Sequence, residues 1–394
     1  MIPLKKIIYP LNIILFNLTR LIPFRDKRLW VFGALEGKKY DDNSKAMFEY
    51  MRQTHGDEYH CVWLTNNHAI VSQLRASGHE AYLNGSMKGK WMQMRAGVAF
   101  YTHGLMDFGM LPLVGGAKVV ALWHGMGFKQ IYNGTYHGWK LQLKKTLDHF
   151  FSWTYRTVTP VTSKYMVDWA KRMFTLNPKH IFITGQPRND VFKTIDRTAV
   201  FQGINIDPEK KVIIFMPTYR QAAMGTDAMS RIVMTLYQSE ELRNVLKEEN
   251  MLFLVKLHPL TPPIDLHGRD DFRILSYKDV TDNQQLMGAC DMLVTDYSSC
   301  YVDYALLQRP ILFYLPDEKE FFEKSETLDD GFIEIAHSCC ATTAADLARL
   351  ITTPSMAAVD AINDLFEDKS IRGTCYAENV FHAVVSNGKN AKAK

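Results

Sequence analysis

Short runs of β-branched and aromatic residues recur along the chain, separated by segments with the apolar period of amphipathic helices. Runs this continuously apolar are typical of strands covered on both faces, as in parallel sheets with crossover helices. In the first half of the chain these runs are Leu29–Phe32, His60–Leu64, Val98–Thr102, Lys118–Trp123 and Ile181–Thr184. The second half repeats the rhythm with Val212–Met216, Leu252–Val255, Phe272–Leu275, Met292–Val294 and Ile311–Tyr314. The pattern predicts an α/β protein with two doubly wound domains.

The length of the chain also favours two domains. Single hydrophobic cores stop growing near ~250–300 residues, and this chain has 394. The polar stretch from Asp190 to Lys210 interrupts the strand rhythm, so we place the domain boundary near residue 200. We expect an N-terminal domain over residues 29–200 and a C-terminal domain over 201–385. Residues 386–394 carry three lysines and no apolar anchor, which predicts a flexible tail.

The positive charge of the chain is concentrated at its start. The formal net charge is +4, and six bases against Asp26 give the first thirty residues +5, which leaves 4 − 5 = −1 for the remainder. Prolines and asparagines interrupt the apolar blocks of this segment, whereas a transmembrane helix needs ~20 mostly apolar residues. Residues 1–28 are therefore predicted to lie on an anionic membrane surface as an amphipathic basic segment. The alternatives are a helix packed on the core and a signal peptide, although no small-residue cleavage site follows.

Several classes of protein are disfavoured because their patterns are missing. The six cysteines are scattered and neither a Cys-x-x-Cys pair nor a His-Glu-x-x-His cluster occurs, so we expect reduced cysteines of a cytosolic protein and no protein-held metal. Without a Gly-x-Gly-x-x-Gly or a Gly-x-x-x-x-Gly-Lys-Ser/Thr loop, a nicotinamide dehydrogenase and a P-loop enzyme are disfavoured. The chain is nearly neutral between its termini and has no basic-aromatic stripe, so nucleic acid is not an expected partner.

Polar residues cluster where four of the predicted strands end, which is where open α/β sheets bind ligands. These segments are Leu122–Lys129, Phe215–Arg220, Val255–Pro259 and Asp296–Ser299. A lone histidine after a strand is usually structural, but His124 and His258 occupy two such ends, which favours a functional role. An imidazole with a pKa near ~6.5 can take a proton from a hydroxyl nucleophile or donate a hydrogen bond to a phosphate.

The turn Asp296–Ser299 is a candidate cradle for a phosphate. It connects a buried strand to a short helix, so the hydroxyls of Ser298 and Ser299 and the free N–H groups of the helix start lie beyond the strand. Asp296 is expected to orient the turn. The alternative is a turn that binds nothing, because the same residues are good helix N-caps.

Three bases near these strand ends are candidate phosphate ligands. The planar guanidinium of Arg220 suits phosphate oxygens, although an arginine paired with a helix end is the common alternative. Lys129 and Lys256 could add positive charge. The alternative for Lys256 is a strand residue whose amine reaches solvent.

Taken in order, these motifs resemble those of the CDP-glycerol glycerophosphotransferase family, which includes teichoic acid primases, teichoic acid polymerases and related capsule-making enzymes. The matching segments are Trp123–Lys129, Thr184–Asp190, Met216–Arg220, Lys256–Pro259 and Val294–Ser299 with Asp303–Tyr314. They span roughly residues 120–315, about half of the chain. Five motifs in one order are far more specific than any one of them.

The resemblance implies a GT-B-like fold, in which two Rossmann-like doubly wound domains face a cleft. It implies that the C-terminal domain holds a CDP-linked polyol donor, CDP-glycerol or CDP-ribitol, with no tightly bound cofactor. A divalent cation could assist the reaction, but no motif in the sequence supports one. The implied acceptor is a lipid-linked saccharide or a growing polyol-phosphate polymer, approached from the N-terminal domain at the cytoplasmic face of the membrane. The implied reaction transfers a polyol phosphate, foremost glycerol phosphate, to an acceptor hydroxyl in teichoic acid or capsule synthesis and releases CMP.

The site residues follow from the matching positions. His124 and His258 are the implied catalytic pair, with His124 as our hypothetical base toward the acceptor hydroxyl and His258 as a group that faces phosphate. The implied donor-binding residues are Arg220, Thr218, Lys256, Ser298, Ser299 and Asp296, and the implied acceptor-side residues are Gly125, Lys129 and Arg188. The first motif usually reads His-Gly-Thr-Pro-Leu-Lys, whereas Met126, Gly127 and Phe128 form its centre here, so the identity of the acceptor stays open.

Two other classes of function remain. A GT-B glycosyltransferase or nucleotide-sugar enzyme of cell-surface polysaccharide synthesis would place histidine and serine at the same strand ends. The leaving nucleotide distinguishes this class from polyol phosphate transfer, because polyol phosphate transfer releases CMP and most sugar transfers release a nucleoside diphosphate. A membrane-associated binding protein with a degenerate site would bind without turnover, but intact His124, His258 and Arg220 argue against it.

Overall fold

The chain forms two compact units, each built around its own parallel sheet. The structure, a computed structural model, describes residues 14–126, 138–150, 156–174, 176–220, 224–225, 227–266, 268–275, 279–280, 282–324 and 330–386. Of these, the first unit contains the residues up to Met126, those from residue 138 to Asp190, and those from Asp368 onward. The second unit contains residues 191–367.

The first unit contains a parallel sheet in the order β3-β2-β1-β4-β5-β6-β7. Its strands are β1 (Asp26–Phe32), β2 (His60–Thr65), β3 (Ala81–Leu83), β4 (Ala96–Tyr101), β5 (Lys118–Ala121), β6 (Arg156–Val161) and β7 (Ile181–Ile183). Its first five helices are α1 (Asp42–His55), α2 (His68–Ala76), α3 (Met87–Arg95), α4 (Gly138–Phe150) and α5 (Lys164–Phe174). Three of the starts carry a side-chain cap: Asp41 accepts from Asp42 N–H, Asn67 from Ala69 N–H and Ser86 from Gly89 N–H.

The core of the first unit lies on both faces of this sheet, as its apolar strands predict. Trp30 and Phe32 of β1 belong to the cluster on one face, and their neighbours Leu29 and Val31 belong to the cluster on the other. Alternate side chains of a strand point to opposite faces, so a run buried on both faces has to be apolar throughout. Each fully buried side chain of this size stabilises the fold by about 1.5–3 kcal/mol.

The second unit repeats the same plan with a parallel sheet in the order β10-β9-β8-β11-β12-β13. Its strands are β8 (Lys211–Met216), β9 (Met251–Lys256), β10 (Phe272–Leu275), β11 (Met292–Thr295), β12 (Ile311–Tyr314) and β13 (Cys340–Ala341). Its helices are α6 (Arg197–Gln202), α7 (Ala228–Gln238), α8 (Glu240–Glu248), α9 (Asn283–Ala289), α10 (Cys300–Ala305), α11 (Glu318–Lys324), α12 (Asp330–His337), α13 (Ala344–Thr352) and α14 (Ala357–Phe366).

Both sheets reverse their strand order at one point, and this point is where doubly wound folds bind ligands. Counted within each unit, the first six strands have the order 3-2-1-4-5-6, the arrangement of dinucleotide-binding folds. The order reverses between β1 and β4 in the first unit and between β8 and β11 in the second. The loops that follow these four strands therefore have the favoured positions for a site.

The end of the described chain returns to the first unit. The final helix, α15 (Tyr376–Ser386), packs on the first sheet, with the ring of Phe381 5.9 Å from that of Trp30. The carboxylate of Asp190 caps this helix by accepting the N–H groups of Tyr376 and Ala377, both at 2.8 Å. The division therefore falls at residue 190 rather than near 200, and residues 368–385, predicted to belong to the second domain, lie in the first unit. The predicted tail falls outside the described residues from residue 387 onward.

Where it is described, the N-terminal segment packs one apolar residue on the core and leaves others exposed, and its predicted contact with a membrane surface stays a prediction. Residues 14–18 are helical and continue into a 3₁₀ turn, Thr19–Leu21. Phe16 is buried in the core of the first unit, whereas Leu18 and Leu21 are exposed. Residues 1–13 lie outside the described part. Among the helices that are described, none has both the length and the apolar character needed to cross a bilayer.

Candidate active site

A buried carboxylate organises the switch point of the first unit. Asp107 is fully buried and accepts three backbone N–H groups: Glu36 at 2.7 Å, Thr102 at 2.8 Å and His103 at 3.0 Å. Glu36 lies in the loop after β1, and Thr102 and His103 directly follow β4. Because a buried carboxylate needs such donors, this network holds the ends of two adjacent strands together.

His124 lies beside this network, directly beyond β5. Its ring stacks on that of His103, with the centroids 4.1 Å apart and the planes at 15°, and the ring of Trp123 lies 4.4 Å away. Trp123 and Gly125 have φ angles of +61° and +153°. The second value favours glycine, since an L side chain rarely adopts it, and these two positions turn the chain sharply on either side of His124.

Arg188 and Asn43 hold the backbone of this turn. Arg188 Nη1 donates to the carbonyl of His124 and to Asp42 Oδ1, both at 2.9 Å. Asn43 Nδ2 donates to the carbonyl of Trp123 at 3.0 Å, and its Oδ1 accepts the backbone N–H of Arg188 at 3.0 Å. The structure thus brings Gly125 and Arg188, two predicted acceptor-side residues, to His124. The third, Lys129, lies outside the described residues.

The surroundings of His124 favour its neutral form. His124 is exposed to solvent, although the rings of His103 and Trp123 pack against its own ring. Burial lowers the pKa of His124 to about 4, His103 and Arg188 act in the same direction, and Asp42 opposes them. In the neutral form one of the two ring nitrogens carries a lone pair. At neutral pH this imidazole is a proton acceptor.

Asp296 connects the two loops at the switch point of the second unit. It is fully buried; Oδ1 accepts the backbone N–H of Thr218 at 2.8 Å, and Oδ2 pairs with Arg220 Nη1 at 2.8 Å. Thr218 and Arg220 follow β8, and Asp296 follows β11. Asp296 therefore orients the turn, as the sequence predicts.

Arg220 is buried and its guanidinium is committed to protein groups. Nε donates to Asp317 Oδ2 at 2.7 Å, Nη2 to Asp317 Oδ1 at 3.1 Å, and Nη1 also to the Thr218 carbonyl at 2.8 Å. Its guanidinium carbon lies 5.1 Å from the ring centroid of Tyr297. Burial alone would lower the pKa of Arg220, but the carboxylates of Asp296 and Asp317 raise it. In this structure Arg220 positions the loops through these protein contacts, and its role toward a phosphate stays a prediction.

The two serines of the turn are half-buried, and Ser299 does not act as a helix cap. Ser299 is the N-cap residue of α10, yet its side chain makes no capping hydrogen bond. The thiol of Cys300, the first residue of α10, lies 3.4 Å from the hydroxyl of Thr295. The hydroxyl of Ser299 therefore does not form the N-cap hydrogen bond that was the alternative to phosphate binding for this turn. The buried hydroxyl of Thr218 also has no hydrogen-bond partner among the described residues.

His258 and Lys256 lie at the end of β9, but only His258 is exposed. His258 Nδ1 accepts the backbone N–H of Leu260 at 3.2 Å, which places the ring proton of the neutral form on Nε2. The ring of Tyr219 lies 5.7 Å away. Lys256 is buried, and its Nζ donates to the carbonyl of Val280 at 2.7 Å. This bond directs the amine of Lys256, which was predicted to bind the donor, toward a backbone carbonyl.

The motifs in the sequence did not reveal three residues that support these sites: His103, Asp107 and Asp317. His103 follows a strand as His124 does, so its position after Tyr101-Thr102 was an available signal. The carboxylates could not be recognised in the same way because their partners are distant in sequence. No group of three or more histidine, cysteine, aspartate or glutamate residues suited to a metal occurs within the described ranges.

Comparisons with known proteins agree with the family that the motifs resemble. A family model described as CDP-Glycerol:Poly(glycerophosphate) glycerophosphotransferase matches residues 14–367. The teichoic acid poly(glycerol phosphate) polymerase of Bacillus spizizenii is 27% identical over 319 residues, which cover 77% of this chain and 77% of that protein. The teichoic acid glycerol-phosphate primase of Bacillus subtilis (strain 168) is 29% identical over 246 residues, which cover 60% of each chain.

Solved structures support the fold. The structure of the wall teichoic acid polymerase TagF matches with a TM-score of 0.74 at 19% identity, covering 98% of this chain and 96% of that chain. Together with the two doubly wound parallel sheets, this likeness confirms the predicted GT-B-like fold class.

Proposed function

As the chain belongs to the CDP-glycerol:poly(glycerophosphate) glycerophosphotransferase family and is an enzyme of polyol phosphate transfer in teichoic acid synthesis, we propose that its donor is CDP-glycerol and its acceptor a hydroxyl of a lipid-linked saccharide or of a growing polyol-phosphate polymer. A related capsule polymer would present the same hydroxyl chemistry. In the proposed reaction the acceptor oxygen bonds to the phosphorus that carries the glycerol. The bond from that phosphorus to the CMP oxygen breaks, and CMP leaves.

The observation that supports this function most strongly is the state of His124. Burial lowers the pKa of His124, and a neutral imidazole has one ring nitrogen able to take the proton of an acceptor hydroxyl. The lowered pKa keeps this form populated at neutral pH. We propose His124 as the general base, with the turn around it held by Arg188 and Asn43.

His258 is suited to the opposite task. Because Leu260 N–H occupies Nδ1, the ring presents Nε2–H as a hydrogen-bond donor. We propose that Nε2 donates to a phosphate oxygen of the donor and stabilises the charge that develops there in the transition state.

The phosphates of CDP-glycerol would accept hydrogen bonds from the hydroxyls of Ser298, Ser299 and Thr218. Ser299 makes no cap and the Thr218 hydroxyl lacks a partner among described residues, so both are available for a ligand. Asp296 and Arg220 fix the positions of these hydroxyls. Lys256 would contribute its charge from a buried position.

We also propose that the protein works on an anionic membrane surface, at the cytoplasmic face, where a lipid-linked acceptor would be held. Leu18, Leu21 and Phe24 are exposed, and the ring of Phe24 stacks on the partly exposed Trp91 at 5.9 Å. The bases nearby in sequence include Arg20, Lys88 and Lys90. Exposed apolar side chains among bases are the pattern that binds anionic headgroups.

The test is an incubation of the purified protein with CDP-glycerol, with and without a glycerophosphate-primed synthetic acceptor, in which CMP and product mass are measured. Acceptor-dependent CMP release with mass increments of glycerol phosphate would support the proposal, and the number of increments would separate a primase from a polymerase. Release of CMP from CDP-ribitol but not from CDP-glycerol would identify CDP-ribitol as the donor. Turnover of a nucleotide sugar with release of a nucleoside diphosphate would support a glycosyltransferase instead.

A further inference from the structure

His103 lies directly against the proposed base. It follows β4 and His124 follows β5, and the two strands pair in parallel through Val98–Tyr101 and Lys118–Ala121. Adjacent strand ends therefore bring the two imidazoles into a stack with a centroid distance of 4.1 Å and an interplanar angle of 15°. A stack of two rings this close restricts the plane that each can adopt.

Thr102 connects the ring of His103 to the buried carboxylate of Asp107. Its hydroxyl lies 3.3 Å from Asp107 Oδ2 and 2.9 Å from Nδ1 of His103. With the hydroxyl proton donated to the carboxylate, the hydroxyl oxygen accepts Nδ1–H from His103. Thr102 thus fixes the orientation of the His103 ring, and the stack imposes that plane on the ring of His124.

The two rings cannot both be protonated without repulsion. The charged or titratable groups facing His124 are His103, Asp42 and Arg188, with Asp107 behind Thr102. A positive charge on the His103 ring opposes protonation of His124. Arg188 adds a fixed positive charge, and Asp42 partly offsets it through its ion pair with Arg188.

We propose that His103 is a positioning residue for phosphate transfer: it holds the plane of the His124 ring by stacking, and a positive charge on it disfavours the protonated form of His124. This inference rests on the proposed role of His124 as the base. His103 itself need not touch the substrate.

Three variants separate the two effects of His103. His103→Phe keeps an aromatic stack and removes the charge, whereas His103→Ala removes both. The matched control is His55→Phe, because His55 of α1 also stacks on an aromatic ring, Phe381, at 4.0 Å and 18°. For each variant, kcat and KM are measured with CDP-glycerol over the pH range in which the protein stays folded.

The sign of the pH effect follows from the charge. Neutral His124 is required, so activity is present above its pKa and is lost as the pH falls through it. Removing the opposing charge raises that pKa, and the acid limb of kcat should move to higher pH by on the order of one unit in His103→Phe, with KM unchanged. His103→Ala should show the same shift and, in addition, about a tenfold lower plateau of kcat because the ring is no longer held. His55→Phe should match the unmodified protein.

A second measurement does not depend on turnover. NMR of histidine-labelled protein follows the titration of His124, whose signal is identified by its loss in His124→Asn. An upward shift of the His124 titration in His103→Phe supports the inference, and an unchanged titration overturns it, even if CDP-polyols prove not to be substrates and the proposed function fails. Should His103→Phe not fold, His103→Gln, which keeps a polar group for Thr102, takes its place in both measurements.

Discussion

Arg220 and Asp317 form a buried bidentate ion pair, with Nε–Oδ2 at 2.7 Å and Nη2–Oδ1 at 3.1 Å. The two side chains are 2% and 13% exposed. With the additional pairing of Nη1 to Asp296, Arg220 holds together the loops that follow β8, β11 and β12. The arginine of the Pro-Thr-Tyr-Arg motif thus stabilises the loops that carry the candidate site.

Removing one partner of this buried pair should destabilise the second unit. Asp317→Asn leaves the guanidinium short of a charge partner, and we expect the free energy of unfolding to fall by about 3–5 kcal/mol. Urea denaturation followed by circular dichroism measures the change. The control is Glu320→Gln, whose pair with Lys324 is exposed and should contribute nothing measurable. Equal stability of Asp317→Asn and the unmodified protein would show that the pair does not organise the loops.

The strands of this fold could be predicted wherever the apolar run was long. All ten predicted runs coincide with strands, although β5 ends at Ala121, two residues before the predicted end at Trp123. Three strands were not predicted: β3 and β13 have three and two residues, too short for a pattern, and β6 alternates threonines with valines and contains Pro160. Helix α15 could not be assigned to the first unit because its cap, Asp190, lies 186 positions before Tyr376.

The candidate site likewise contains some residues that the sequence could reveal and others that it could not. His124, His258, Ser298 and Ser299 could be selected because strand ends are visible in the sequence. The partners of Arg220 could not, since Asp317 is 97 positions away. A carboxylate that neutralises a buried arginine carries no local pattern, so the sequence alone could not distinguish an arginine that binds phosphate from one that orders loops.

Ser299 should affect donor binding without affecting the fold. An N-cap serine contributes about 1 kcal/mol to stability, but Ser299 makes no capping bond. We expect Ser299→Ala to leave the urea midpoint unchanged and to raise KM for CDP-glycerol by about tenfold to a hundredfold, the loss of one hydrogen bond to a charged group. The matched control is Ser239→Ala, because Ser239 caps α8 at 3.1 Å and should lose stability but keep KM. A destabilised Ser299→Ala with normal KM would assign the serine to the fold.

The tautomer of His258 predicts which replacement preserves activity. The side-chain amide of glutamine can place an N–H near the position of Nε2, whereas asparagine reaches only the position of Nδ1. We expect His258→Gln to retain a larger fraction of kcat than His258→Asn or His258→Ala. Steady-state kinetics with CDP-glycerol decide this, and equal losses in all three variants would argue against donation from Nε2.

The exposed apolar residues near the start of the chain should control binding to anionic vesicles. The double variant Leu18→Glu, Leu21→Glu replaces two exposed apolar side chains with charges that such a surface repels. We expect it to stay in the supernatant when sedimented with vesicles of anionic phospholipid, while its turnover of a soluble acceptor is unchanged. Leu143→Glu, at another exposed leucine of the first unit, is the control and should bind as before. Undiminished sedimentation of the double variant would contradict the membrane proposal.

The most direct test of the central claim is the acceptor-dependent release of CMP from CDP-glycerol by the unmodified protein, compared with His124→Ala and with His68→Ala, an exposed histidine of α2. The account predicts glycerol phosphate transfer that falls by about 10²–10⁴-fold in His124→Ala, the usual contribution of a general base, and is unchanged in His68→Ala. Transfer that persists in a folded His124→Ala, or release of a nucleotide other than CMP, would contradict it.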